Sequence, residues 1–334
     1  MFKYFVTLSC SLLIIFNETD AIENSIIPLV ERYESVENLN PKKYSRLQFE
    51  EISSALASKA QRIRILSYNI LASIFDYKHE PINSWPQRLP RILELLNEMQ
   101  PDVFGVQELY KDQLNDLLPF LSDTYTFVGG PCTDSEINGI FYRKERFELV
   151  DSQIWFISST QVPSSETLTL VHLRDNITNS EFAACNTHLS FSKVDKRAFQ
   201  AQFIVDKISS VFAQNVPVIF MGDLNTFTQR LDLENLPFYD GDYIHRILTK
   251  GPLKDAKEQS LLGHLGPLST FTNATEEAIP FTGKGTPGIV LDHIYITKGI
   301  TVLVHAVQPA TVGGHFPSDH MPIFSDILIN FEQN

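Results

Sequence analysis

Apolar residues in this chain come in short runs divided by polar turns, and their spacing alternates between strand-like and helical. The runs over 63–66, 103–106, 182–185, 216–221, 289–296, 302–307 and 323–329 are rich in β-branched and aromatic residues. They are too short for helices and predict buried strands. Leu89, Ile92, Leu93 and Leu96 recur at helical spacing after Ser84-Trp85-Pro86-Gln87, a capping-box pattern with proline near the first helical position. Pro101 ends that helix before a strand over 102–107. Ala198, Ala201, Ile204, Val205, Ile208 and Val211 predict a second helix over 194–212. Short strand-like runs fill 125–186, and the turn residues 175–180 divide the last two, over 168–173 and 181–189. The stretch 228–285 reads as loop-rich and is expected to supply part of the substrate surface. Many strands with few helices suggest two stacked sheets flanked by helices.

Polar residues interrupt or end six of these runs in a consistent way. They are Ser67-Tyr68-Asn69, Gln107-Glu108, Asn186-Thr187-His188, Gly222-Asp223-Leu224-Asn225, Asp292-His293 and the tail His315-Phe316-Pro317-Ser318-Asp319-His320. Polar groups at strand ends converge on one edge of a sheet, where open α/β architectures place their sites. Carboxylates hold a hard cation, and imidazoles exchange protons near neutral pH. Glu108 follows a buried strand with no basic neighbour before Lys111, which makes it the first candidate metal ligand; Asp319 is the second. His320 is the expected acid/base and needs a partner that fixes its tautomer. His293, next to Asp292 on a strand, should point to the opposite face and is read as structural. His315 reads as a loop residue at the entrance.

In this order the six steps resemble the motifs of the endonuclease/exonuclease/phosphatase superfamily, which includes deoxyribonuclease I, apurinic endonucleases, sphingomyelinases and deadenylases. The likeness runs from Arg62 to Ile329 and extends to Ser84-Trp85-x-x-Arg88, the stretch 138–147 and Ser269–Thr272. It implies a four-layer α/β sandwich, two stacked mixed β-sheets flanked by helices. It also implies a magnesium site, with manganese as the substitute, at Glu108. Asn69 and Asn225 would steady phosphate oxygens. Asp223 would orient or deprotonate the attacking water, or hold a second metal, and Asn69 joins it among the candidate ligands. Asp292 would fix His320. His188 would be the second imidazole, and Glu136 is either its partner or a solvated loop glutamate. In one place the chain departs from its relatives: Ser165-Glu166-Thr167 stands where many of them carry a phosphate-contacting arginine.

The 334 residues are 43% hydrophobic, which suits one folded domain, and the net charge of −13 gives no global basic footprint for nucleic acid. Lys3 followed by the apolar run 5–16 predicts a signal peptide over 1–21 and a secreted or periplasmic protein without a transmembrane segment. Residues 22–61 read as a helical or partly ordered extension, and 62–334 as the catalytic domain. Beyond Cys10 only Cys132 and Cys185 remain, enough for one disulfide or for a small buried group at Cys185. The motifs are specific for a phosphoesterase and poorly specific for its substrate. The expectation is a monomeric, magnesium-dependent nuclease acting on phosphodiester bonds. The alternatives are a phosphodiesterase or phosphatase for small or lipid-head-group esters and, more remotely, an inactive binding module.

Overall fold

A computed structural model describes residues 4–7, 13–16, 61–78, 81–130, 135–157, 166–191, 193–226, 239–267, 269–272, 289–309 and 311–329. The extension expected over 22–61 lies outside these residues except for its last position. Cys132 and much of the stretch 228–285 lie outside them too. In chain order the strands are β1 (Tyr4–Thr7), β2 (Leu13–Phe16), β3 (Ile63–Asn69), β4 (Val103–Leu109), β5 (Tyr125–Val128), β6 (Ile137–Arg143) and β7 (Phe147–Phe156). They continue as β8 (Thr167–Asp175), β9 (Glu181–His188), β10 (Val218–Asp223), β11 (Lys254–Asp255), β12 (His264–Leu265), β13 (Asp292–Ile296), β14 (Ile300–Val307) and β15 (Ile323–Ile329). The helices are α1 (Trp85–Met99), α2 (Lys111–Leu121), α3 (Val194–Phe212), α4 (Tyr243–Thr249) and the single turn α5 (Ala256–Gln259).

The strands build a seven-stranded sheet, β12-β14-β15-β3-β4-β6-β5, and a six-stranded sheet, β11-β13-β10-β9-β8-β7, while β1 and β2 pair with each other. Alternation along each strand gives both sheets two apolar faces. Ile65, Val103, Ile140, Val171, Phe182, Ala184, Ile219 and Ile294 fill the space between the sheets. On the outer face of the first sheet, Leu66, Phe104 and Phe324 meet Ile92, Leu95 and Met99 of α1 and Leu114 and Leu117 of α2. On the outer face of the second, Leu170, Cys185 and Phe220 meet Ala201, Ile204 and Ile208 of α3 and Ile244 of α4. This is the expected four-layer sandwich. Each aliphatic side chain buried this way contributes about 1.5–3 kcal/mol.

Three local expectations need correction. The capping box is not formed, because the Ser84 hydroxyl turns back to Pro81 O at 2.8 Å. Asp76 Oδ2 takes the free N–H of Trp85 instead, at 2.7 Å, so a long-range carboxylate fills the capping role. The buried stripe of α1 is also wider than the leucine pattern suggested and includes Arg88 and Arg91. Glu108, for its part, does not follow its strand but lies inside it. Val106 pairs with Gly139 and Leu109 with Ile137, so Gln107 and Glu108 together face one β6 residue. That is a β-bulge, and it leaves Glu108 in the left-handed region at φ 57°.

The parallel pairs β3–β4 and β9–β10 gather the reactive side chains. Parallel neighbours end at the same edge, so Asn69, Glu108, His188 and Asp223 emerge together. β13 runs antiparallel to β10 and sets Asp292 opposite Asp223.

Candidate active site

At this edge two imidazoles approach one carboxylate oxygen. His320 Nε2 lies 3.6 Å from Asp223 Oδ2, and His188 Nε2 lies 3.4 Å from the same atom. Each ring has a second carboxylate behind it. Asp292 Oδ2 is 2.8 Å from His320 Nδ1, and Glu136 Oε1 is 2.8 Å from His188 Nδ1. The Asn225 carboxamide meets His188 Nε2 at 2.9 Å, and its Nδ2 also donates to Leu189 O at 2.9 Å. The Asn225 N–H closes the arrangement on Asp223 Oδ1 at 2.9 Å.

The metal-candidate side is joined to this cluster through Asn69. Its Nδ2 donates both to Asp223 Oδ2 (3.0 Å) and to Glu108 Oε1 (3.1 Å), while its Oδ1 accepts from Leu71 N–H. Glu108 Oε2 accepts from Ala72 N–H at 3.0 Å. Asp319 sits next to Ser318, whose hydroxyl donates to Asn69 O at 2.7 Å. Leu71, Glu108 and Asn225 all carry positive φ, a strain that persists in folded proteins only where surrounding contacts over-determine it. Gly222 is required for a different reason: its φ is 155°, and a Cβ there would lie 2.1 Å from Thr187 O.

The charges in this pocket shift one another. Burial disfavours the charged His320 ring, yet the carboxylates of Asp292 and Asp223 overcome it and push the group up to about 10. His188 is raised well above its ordinary value against the same penalty, by Glu136 first and Asp223 next. Burial raises Asp223 despite both imidazoles. Glu108 is lowered, its own burial outweighed by His188, the Ala72 N–H and Asn69.

The donor set fits a hard divalent cation. Glu108, Asp223 and Asp319 offer oxygen within one hydrogen-bonded network, and among the described residues each Glu108 oxygen accepts one N–H. Among the described residues, Asp223, Asp292 and His320 bring ligand atoms within 4.8 Å of one another. In that trio both nitrogens of His320 already face carboxylates, which is the geometry of an acid/base dyad.

A model of the endonuclease/exonuclease/phosphatase family matches residues 66–320, from β3 to His320. The chain belongs to this family. Protein angel of Drosophila melanogaster is 27% identical over 214 residues, 55% of this chain and 58% of that protein. The CCR4-Not complex 3'-5'-exoribonuclease subunit Ccr4 of Aspergillus niger is 21% identical, covering 89% of this chain and 56% of its own length. The chain thus spans little more than half the length of each of these two curated relatives. The structure of a mannosyl-6-phosphatase from Bacteroides thetaiotaomicron VPI-5482 superposes with a TM-score of 0.66 at 23% identity, covering 80% of this chain and 99% of that one. That likeness shows the fold. Members of this family depend on divalent metals, in keeping with the oxygen-rich cluster.

Several residues of this family member gave no sign of their role in the sequence. Arg88, buried in α1, donates to Ile70 O, to Leu71 O at 2.9 Å and to Asn83 O at 2.8 Å, with Pro317 O at 3.4 Å. It therefore grips both loops that present Asn69 and Asp319. Thr270 Oγ1 accepts from the N–H groups of Leu291 and Asp292. Phe271 sets its ring edge-on to His320 at 5.1 Å. Arg88, Thr270 and Phe271 lie in stretches whose likeness to the family was visible, but sequence spacing carried no sign of their partners. His293 packs on Tyr295, on the face away from the site, as its strand position required. His315 lies in the turn before β15 and pairs with Val312 through backbone bonds. Cys185 is free and buried. Glu166 forms an ion pair with Lys196 of α3.

Proposed function

We propose that the chain is a metal-dependent phosphoesterase that hydrolyses nucleic-acid phosphodiester bonds by in-line attack of water. The observation that carries this reading is Asp223 Oδ2 held between His188 Nε2 and His320 Nε2, with a separate carboxylate behind each ring. A magnesium or manganese ion held by Glu108, with Asp319 or Asp223, would supply positive charge to the phosphoryl oxygens. Asp223, its carboxyl raised by burial, takes the proton of the attacking water. The imidazoliums of His320 and His188 face the negative charge that builds on the phosphoryl group, and one of them gives its Nε2 proton to the leaving oxygen as that oxygen's bond to phosphorus breaks. Asn69 and Asn225 orient Asp223 and His188 through the hydrogen bonds above. Removing an acid/base group of this kind costs about 10²–10⁴-fold in rate.

The Glu166–Lys196 pair removes one objection to a nucleic acid, because the lysine offsets the acid that would repel a phosphate chain. The Ccr4 relative, named as an exoribonuclease, supports the same reading. The net charge of −13 favours the second reading, a phosphatase or phosphodiesterase for small esters. The apolar run after Lys3 further supports an exported protein. The test incubates the protein with plasmid DNA, single-stranded RNA and bis-p-nitrophenyl phosphate, with magnesium and with chelator, beside Asp223→Ala. Magnesium-dependent cutting of plasmid or RNA that the variant loses is the expected result. Turnover of the small ester alone moves the conclusion to the second reading, and silence on all three sinks both.

A further inference from the structure

Behind the site, two carboxamides meet between the sheets. Gln107 of β4 and Asn186 of β9 are fully buried, and Gln107 Nε2 donates to Asn186 Oδ1 at 2.6 Å and to Ser67 Oγ at 3.1 Å. Asn186 Nδ2 uses both its hydrogens, on Val106 O at 2.9 Å and Gly139 O at 2.8 Å. Those two carbonyls are the last paired positions before the β4 bulge. With both amide hydrogens spent, Asn186 Oδ1 can only accept, so Gln107 must present its NH₂. The next residue after Gln107 is Glu108, turned into the site at φ 57° with its N–H on Glu136 Oε1 at 3.1 Å. That same oxygen receives His188 Nδ1, and His188 lies two residues beyond Asn186.

Stability alone does not explain this pair. Among the described residues Gln107 Oε1 is buried without a hydrogen-bond partner, and a half-satisfied interior amide is a weak stabiliser compared with apolar packing. The space is nevertheless reserved for it: a Cβ on Gly105 would lie 2.7 Å from both Cγ and Oδ1 of Asn186. We infer that Asn186 and Gln107 are positioning residues, a clamp between the sheets that caps the β4 bulge and so fixes Glu108 relative to Glu136 and His188. This rests on the proposed function, because it assigns the clamp to the placement of that site's metal-side carboxylate and second imidazole.

The test uses the full chain and three variants: Asn186→Ala, Gly105→Ala, and the two combined. Thermal melting is followed with and without magnesium, together with kcat and KM on bis-p-nitrophenyl phosphate. Displacing a reacting group by about 1 Å costs on the order of 100-fold, so Asn186→Ala should lower kcat by about that factor with little change in KM. Gly105→Ala should do the same, although glycine carries no functional group, because its methyl evicts the amide. In the double variant the methyl occupies the vacated space. Its melting temperature should therefore rise above that of either single variant while kcat stays low. The rise in melting temperature on adding magnesium should be smaller in all three variants than in the wild type. Recovery of kcat together with stability in the double variant, or wild-type kcat and magnesium response in a folded Asn186→Ala, overturns the clamp alone. A wild type that cuts plasmid DNA or single-stranded RNA but not this ester is compared with the variants on that nucleic acid; one that turns over none of the three sinks the proposed function instead, and the clamp is then judged on the magnesium shift. Absence of that shift from the wild type sinks both.

Discussion

His320 is held in its charged form by its neighbours, and this has a sign that can be measured. In an unfolded chain a histidine titrates at about 6.5, whereas here Asp292 and Asp223 push the group up to about 10 against the cost of burial. Folding therefore favours the protonated ring. That contribution is complete below the unfolded value and is lost as pH rises through about 10. With chelator present, the protein should lose stability between those limits, and Asp292→Asn should flatten the loss. Urea midpoints at both ends of the window check this, and equal slopes in the two proteins would assign the effect to other groups. His320, Asp223 and Glu108 were legible as candidates because each polar side chain stands at the end of an apolar run or just before one. Arg88 was not, since nothing in its sequence context separates a buried guanidinium from an exposed one on a helix.

α1 does more than cover the first sheet. Its leucine stripe packs on Leu66 and Phe104, and the same face carries Arg88 to four backbone carbonyls in three loops. A guanidinium forks toward several acceptors at once, and an ammonium cannot copy that geometry. Arg88→Lys should therefore destabilise the protein by about 3 kcal/mol, the cost of breaking a buried charged network. Denaturant titration measures it; a loss within experimental error would show that the loops hold themselves. The helix itself was legible from its period. α2 was not foreseen, although Leu114, Leu117 and Leu121 are buried, because Pro119 and the polar residues between them obscure the pattern. The bulge in β4 was hidden for another reason: it is defined by a register against β6, and a strand's own sequence does not state its partner's register.

At the scale of the whole molecule, the site lies at one end of two stacked sheets, and the chain as a whole carries no net positive charge to draw nucleic acid in. A protein that contacts six to ten phosphates loses about 10³–10⁵-fold in affinity between low and physiological salt. For this chain, with a net charge of −13, the expected loss on duplex DNA is about tenfold or less, read from KM at several salt concentrations. A steep dependence would reveal a local basic track that the total charge conceals.

The sequence by itself determined the fold class and singled out the polar side chains that converge at one edge of the sheets. Hydrophobic period and the residue type at each strand end are local quantities, readable within a few positions. The tertiary structure alone decided the partnerships. Glu136 could be read as a loop acid until it met His188 across 52 positions, and Asn69 reaches Asp223 across 154. Gln107 and Asn186 find each other across 79 positions, between sheets whose stacking brings them together. Such contacts depend on how strands pair and sheets pack, and those choices are made by the whole core at once.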